Sequence, residues 1–251
     1  MSKGKWFKAD LHIHSVLSPC ADLDMGPNNI IDICKRENIE IIAITDHNTG
    51  RNVPAFQKKA AREGITVIPG MELQTREEVH CLCYFPSYSN LARFESMIAQ
   101  TFPQIPNKED IFGTQLVIND REEILAHEER MLLSSSSLGI SELMEKVKQY
   151  SGLVIPAHVD KPSYSLLTNL GPPIGNEGFK ALEFFSYSNY IKFTNQFSNL
   201  KDYPIIMSSD AHDLQDFQKP EYKTYFLLEE PVLSGIQKAL ESQGFREVIL
   251  N

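Results

Sequence analysis

Ile41-Ile42-Ala43-Ile44-Thr45-Asp46-His47 runs four apolar residues of strand type straight into a carboxylate and an imidazole. Such a run reads as a buried strand. The polar groups at its end read as part of a site at the carboxyl edge of a parallel barrel or sheet, the edge where function collects. The pattern repeats in both directions. Upstream stands Ala9-Asp10-Leu11-His12-Ile13-His14; downstream follow Val67-Ile68-Pro69-Gly70-Met71-Glu72, Leu153-Val154-Ile155-Pro156-Ala157-His158 and Ile205-Ile206-Met207-Ser208-Ser209-Asp210-Ala211-His212. With His80 in the strand after Glu72, these clusters take all but one of the seven histidines, which points to a metal site assembled from many strand ends.

Apolar runs alternate with helical patterns along the rest of the chain, the rhythm of βα units. Strands are expected at residues 7–11, 40–45, 66–69, 79–84, 153–157, 180–185, 204–208 and 224–228. Helices are expected at 27–37, opened by Pro27, at 53–63, ending before Gly64, and at 140–150 and 232–243, where apolar positions recur three and four apart. A parallel barrel, complete or incomplete, fits this order. At 251 residues and 42% apolar content the chain is expected to form one main domain, 1–251. Residues 86–137 break the rhythm with Pro86, Pro103 and Pro106, a hairpin through 115–118 and 122–126, and the serines 134–137. They read as an insertion decorating the barrel, where specificity is commonly added.

The formal charge of −9 disfavours a general nucleic-acid surface, which needs clustered Lys and Arg. The expectation is therefore a small phosphorylated substrate or short nucleotide, with no stable binding of duplex nucleic acid. The cysteines at 20, 34, 81 and 83 lack CxxC pairs and read as reduced thiols, and no run of eighteen apolar residues occurs; a cytoplasmic protein without a membrane partner is expected.

At the strand ends, the two-residue spacing of His12 and His14 puts both imidazoles on one side of an extended chain, as ligands to one ion require. His47 is a ligand candidate, and Asp46 either orients a ring from behind or caps the next turn. Glu72, costly to bury alone, is suited to bridge two ions. His80 shares a face with Leu82, whereas Cys81 and Cys83 point to the core. His158 and the pair Asp210 and His212 complete the set. For a phosphate, the cations Arg51 and Lys161 are candidates, with Asn48 touching substrate or orienting its loop. Glu183 is expected behind the metals, Trp6 packed at the start of the first strand, and His127 exposed.

These motifs together resemble the PHP family, the polymerase and histidinol phosphatase superfamily, over essentially the whole chain outside 86–137. The resemblance implies a distorted (β/α)7 TIM-like barrel with an inserted segment, holding two or three divalent ions of zinc, manganese or iron. It implies that His12, His14, Glu72 and Asp210 surround one ion, Glu72, His80 and His158 a second, and Asp22, His47 and His212 a third. The acid of the family's SDG motif matches Asp22, but the glycine is missing from Ser18-Pro19-Cys20-Ala21-Asp22-Leu23-Asp24, so Asp24 competes for the role.

The activity so implied is that of a metal-dependent phosphoric ester hydrolase acting on phosphomonoesters or on nucleotide and oligonucleotide phosphodiesters. The attacking group is a metal-activated hydroxide, with His12, His14, Glu72, Asp210 and His212 as the catalytic constellation. Two other readings stand beside it: an amidohydrolase-type metal hydrolase, disfavoured by the Asp210-Ala211-His212 pair and the Glu72 bridge, and a non-catalytic metal-binding regulatory module, disfavoured because every ligand position is filled by a competent residue.

Overall fold

The computed structural model describes residues 4–175, 177–219 and 223–241. The strands are β1 (Lys5–Ile13), β2 (Ile41–Ile44), β3 (Thr66–Gln74), β4 (His80–Tyr84), β5 (Leu116–Ile118), β6 (Ile124–His127), β7 (Leu153–Pro156), β8 (Leu182–Glu183), β9 (Ile205–Ile206) and β10 (Thr224–Leu228). Helices α1 (Pro27–Glu37) and α2 (Val53–Ala60) cross between the first three strands, and α3 (Tyr88–Ile98), α4 (Glu109–Phe112) and α5 (Ile140–Gln149) lie between β4 and β7. They are followed by α6 (Leu166–Asn169), α7 (Tyr187–Gln196), α8 (Leu214–Phe217) and α9 (Leu233–Glu241).

Six strands form one curled sheet in the order β10-β1-β2-β3-β4-β7, and β8 pairs in parallel with β9. Backbone contacts carry the curl round into a distorted TIM-like barrel. Val159 N–H donates to the Glu183 carbonyl beyond β7, and a bridge from Ile13 to Ala211 joins the end of β1 to the chain beyond β9.

The uninterrupted apolar run in β2 follows from this architecture. Ile41 and Ala43 face a core inside the barrel with Leu11, Ile68, Leu82, Ile155 and Phe226, whereas Ile42 and Ile44 face the helices with Ile30, Ile33 and Phe56. Both faces are dry, so period-two alternation disappears. Helix α1 starts at Pro27, whose missing N–H costs nothing there, and stops at Asn38, which takes a left-handed φ of 54° and returns its N–H to the carbonyls of Cys34 and Lys35.

The sheet is not wholly parallel. β1 and β2, and β2 and β3, pair in parallel, but β3–β4, β4–β7 and β1–β10 are antiparallel. The cause at β3–β4 is length: β3 runs on to Gln74, five residues beyond the expected end, leaving only residues 75–79 before β4, too few for a crossover. Trp6 does not pack at the start of β1; it is 45% exposed. The short helices α6 and α8, and α7, carry no signal that the sequence reading used. Of the helix expected at 232–243, residues 242 and 243 lie outside the described residues, as do the ends of the expected domain 1–251.

Because β4 pairs directly with β7, residues 85–139 stand outside the sheet order. They hold α3, α4 and the antiparallel hairpin β5–β6, the last close to where the sequence places it.

Candidate metal centre

Closure of the barrel brings the first and last clusters together. His14 N–H donates to the Ala211 carbonyl at 3.0 Å, setting His12 and His14 against Asp210 and His212. A parallel bridge between His47 and Glu72 aligns the ends of β2 and β3, and His80 opens β4 opposite Gln74. His158 and Asp210 both take positive φ, 26° and 48°, in the turns just past their strands; such uncommon backbone in non-glycine residues collects at functional sites.

Six histidines and two acids converge. Asp210 Oδ1 lies 3.1 Å from His12 Nε2 and 3.2 Å from His14 Nε2, and these two nitrogens are 3.2 Å apart. Glu72 reaches His80 Nδ1 at 2.9 Å and His158 Nε2 at 3.1 Å through Oε1, and His47 Nδ1 at 3.0 Å through Oε2. Three sets have ligand atoms within 4.8 Å of one another: His12, His14 and Asp210; His47, Glu72 and His80; His14, His47 and His212.

The rings are gripped from behind. His12 Nδ1 lies 2.9 Å from Glu183 Oε2, which also accepts the His158 N–H. Ser18 Oγ donates to Asp46 Oδ1 at 2.7 Å, so it accepts from His14 Nδ1–H at 2.9 Å and from the His47 N–H at 3.2 Å. Asp46 thus acts on His14 through a serine, and its carboxylate also takes the N–H and hydroxyl of Ser15. With both Nδ1 protons committed, the Nε2 atoms of His12 and His14 present lone pairs to each other and to a carboxylate. Glu72 Oε2 and Asp210 Oδ1 are buried without a hydrogen-bond partner. Acceptors facing acceptors in a dry pocket are unfavourable unless a cation or a proton lies among them, and this donor set fits divalent ions of the zinc, manganese and iron type.

The electrostatics agree. Burial alone would depress His12 and His14, but the carboxylates override it: Asp210, Glu183 and Glu72 hold His12 well above its ordinary value, and Asp210 and Glu72 raise His14. Burial and the neighbouring His14 push His47 down to about 4 and His212 to about 3. Burial opposes ionisation of Glu72 and Asp210, yet His80, His12 and His47 hold Glu72, and His12 and His14 hold Asp210, well below the usual carboxylate range.

A cleft of about 270 Å³ opens onto this cluster. Lys161 lines it, ion-paired to Asp210 and lying 4.7 Å over the Phe185 ring. Asn48 and Arg51 are placed elsewhere. Asn48 is buried, with its amide donating to the carbonyls of Leu132 and Ser134 and its oxygen accepting from Gln74 N–H, so it ties residues 132–134 to β3. Arg51 pairs with Glu128 at 2.9 Å. Asp22 and Asp24 are exposed and neither lines the cleft. His127 is exposed beside Glu109.

Several contributors carry no usable sequence signal. Tyr164, at a φ of 53°, stacks on the His80 ring at 4.9 Å and accepts the His80 N–H at its carbonyl. Cys20 lines the cleft. Beneath the site, buried Lys223 donates to Asp10 Oδ2 at 2.7 Å, while Asp10 Oδ1 accepts from the N–H groups of His12 and Ser209. Asp10 stands in the first motif, but nothing in spacing pairs it with a lysine so far along the chain.

Comparison with known proteins agrees with this geometry. The PHP domain family model matches residues 10–169, and the chain belongs to that family. The uncharacterised protein MJ1587 of Methanocaldococcus jannaschii is 38% identical over 78 aligned residues, covering 28% of this chain and 46% of that protein. The lesion-specific endonuclease EndoQ of Pyrococcus furiosus superposes with a TM-score of 0.71 at 20% identity, over 98% of this chain and 58% of its own. A Bifidobacterium adolescentis protein proposed to be a metal-dependent phosphoesterase superposes with a TM-score of 0.55 at 16% identity, over 84% of this chain and 89% of its own. At such identities the likeness is one of fold. The chain spans less than half of MJ1587 and 58% of EndoQ.

One expectation is corrected here. Duplex nucleic acid does not stand excluded as a stable partner: Endonuclease Q, aligned with 97% of this chain at a TM-score of 0.70, has been solved with a 27-mer duplex carrying an abasic lesion at its active site. Net charge sums over the whole surface, whereas binding is governed by the local potential at the mouth of a site. Among the described residues no helix is long and apolar enough to cross a membrane.

Proposed function

We propose that this PHP-family chain is a metal-dependent phosphoesterase, hydrolysing phosphomonoesters or the phosphodiesters of nucleotides and nucleic-acid strands. The observation that carries the reading is the convergence of bare Nε2 lone pairs and orphaned carboxylate oxygens on one cleft that also holds an ammonium group. His12, His14, Glu72 and Asp210 would hold one ion, and Glu72, His80 and His158 a second, with His47 and His212 serving a third. Divalent ions there would supply Lewis-acid stabilisation of phosphoryl charge and lower the pKa of an attacking water toward neutrality.

The remaining work falls to this chain's own residues. Glu183 and the Ser18–Asp46 pair engage the Nδ1 atoms of His12 and His14 and so aim both Nε2 atoms inward. Lys161, whose ammonium Asp210 keeps charged although burial opposes it, stands ready to take a phosphate oxygen. Tyr164, 45% exposed and stacked on His80 by one face, offers the other to a planar group such as a base. Residues 86–137 we read as an insertion on a single barrel that walls the cleft, where Leu133 closes one side.

The test is a metal-dependent screen of purified, metal-analysed protein. Its substrates are p-nitrophenyl phosphate, the bis-ester, 3′,5′-bisphosphonucleotides, short single-stranded oligonucleotides and a duplex with an abasic lesion, with Asp210→Ala as control. Metal-restored turnover on a phosphate ester, absent from the control, is expected; bound metal without turnover on any phosphate would overturn the reading.

A further inference from the structure

The loop between β1 and α1 carries a side chain to which no role has been given. Ser18-Pro19-Cys20-Ala21-Asp22 runs along the group His14, His47 and His212. At one end Ser18 contacts His14 Nδ1 and the His47 N–H; at the other, Asp22 N–H donates to the His212 carbonyl at 2.8 Å. The turn closes through Ala21 N–H to the Ser18 carbonyl at 2.9 Å. Cys20 sits between these ties and lines the cleft with His47, Glu72, Asp210 and His212. Gly113 braces the loop from outside: at a φ of 94°, a Cβ there would stand 2.5 Å from the Pro19 carbonyl oxygen.

The donor sets around the cleft are unequal. Two of them include a carboxylate, whereas His14, His47 and His212 form a set of imidazoles alone. Asp22, the acid expected to complete it, is exposed and outside the cleft. Meanwhile Glu72 Oε2 and Asp210 Oδ1, both buried, have no hydrogen-bond partner, so the same cleft presents uncompensated negative oxygens that call for a cation. What the loop presents to the cleft that His47 and His212 line is the Cys20 side chain.

We propose that Cys20 supplies a thiolate ligand to a divalent ion held by His47, His212 and the shared His14, its thiol proton leaving to solvent as the metal–sulfur bond forms. Three imidazoles and a thiolate make a donor set that selects zinc over manganese. This rests on the metal-centre reading above, and the test separates the two.

Cobalt(II) is titrated into the metal-stripped full chain and followed by absorption. A thiolate ligand gives a sulfur-to-cobalt charge-transfer band in the near ultraviolet, and Cys20 is the exposed cysteine of the four, the others being buried. The expected result is a band in the parent chain that is lost in Cys20→Ser. In Cys20→Asp, cobalt binding returns without the band and preference moves from zinc toward manganese. Cobalt bound with no such band, or with a band that survives Cys20→Ser, overturns the role of Cys20 while leaving the metal centre in place. Failure to bind cobalt at all overturns both.

Discussion

On the floor of the cleft each ring of the first motif is gripped by a buried group, His12 by Glu183 and His14 by Ser18 backed by Asp46. Over the rim, residues 19–24 are tied through backbone, and the carboxylates of Asp22 and Asp24 are exposed. The floor is fixed by strand register, in which alternate residues must face one way; the loop is fixed by turn geometry, which leaves side-chain direction free of any period. The difference teaches where a ligand can be assigned from spacing and where it cannot.

The largest effect is expected beneath the floor. Lys223→Met removes the partner of Asp10 and leaves a buried carboxylate uncompensated, a change that costs about 3–5 kcal/mol. For a chain of this size the melting temperature should fall by about 6–20 °C, read by calorimetry on metal-stripped protein. Because Asp10 also accepts the His12 and Ser209 N–H groups, metal uptake should weaken as well. An unchanged melting temperature would show that the floor does not depend on this pair.

Next stands Glu183→Gln, which keeps the shape but removes the charge behind His12. Loss of such a partner behind a metal-binding histidine typically lowers metal affinity about 10–100-fold, measurable by competition with a chromophoric chelator. A drop confined to affinity, with the melting temperature preserved, would mark Glu183 as a positioning residue. Equal affinity would mean that the barrel backbone alone aims the ring.

A smaller effect separates the floor by protonation. With no cation present, the carboxylates override burial and shift His12 and His14 toward the protonated form. Burial shifts His47 and His212, at about 4 and about 3, toward the neutral form. Metal uptake must then expel protons, and its apparent affinity must rise with pH. Titration calorimetry in two buffers of different ionisation enthalpy checks the sign: proton release supports the assignment, and its absence would mean that both rings are already neutral.

What was legible follows the same division. The apolar runs of β1, β2 and β3 and the turn before His212 were readable because a continuous apolar run fixes a buried strand. His80 was assigned its face by alternation against Cys81 and Cys83, both of which are buried. The antiparallel half of the sheet was hidden because β3 continues through Met71–Gln74, residues that read as site and loop, and this extension alone turns the crossover into a hairpin. Ser18, Tyr164 and Lys223 were hidden for another reason: each acts through a contact set by tertiary closure, and a serine, tyrosine or lysine at those positions is unremarkable by type.

The smallest expected effect is the sharpest test of the comparison. Asp22→Ala and Asp24→Ala each remove a carboxylate that is exposed and outside the cleft, in a loop held by the Asp22 N–H to His212 carbonyl bond and by the bond from Asn29 to the Asp24 carbonyl. Both ties are made by backbone atoms of the substituted residues and survive alanine. Surface substitutions of this kind stay within about 0.5 kcal/mol, so metal stoichiometry and melting temperature should match the parent chain. If Asp22→Ala instead costs one bound metal, the loop must turn its carboxylate inward on loading. The rim would then be a shell formed by the ion rather than for it, and the contrast between floor and loop would hold only for the metal-free chain.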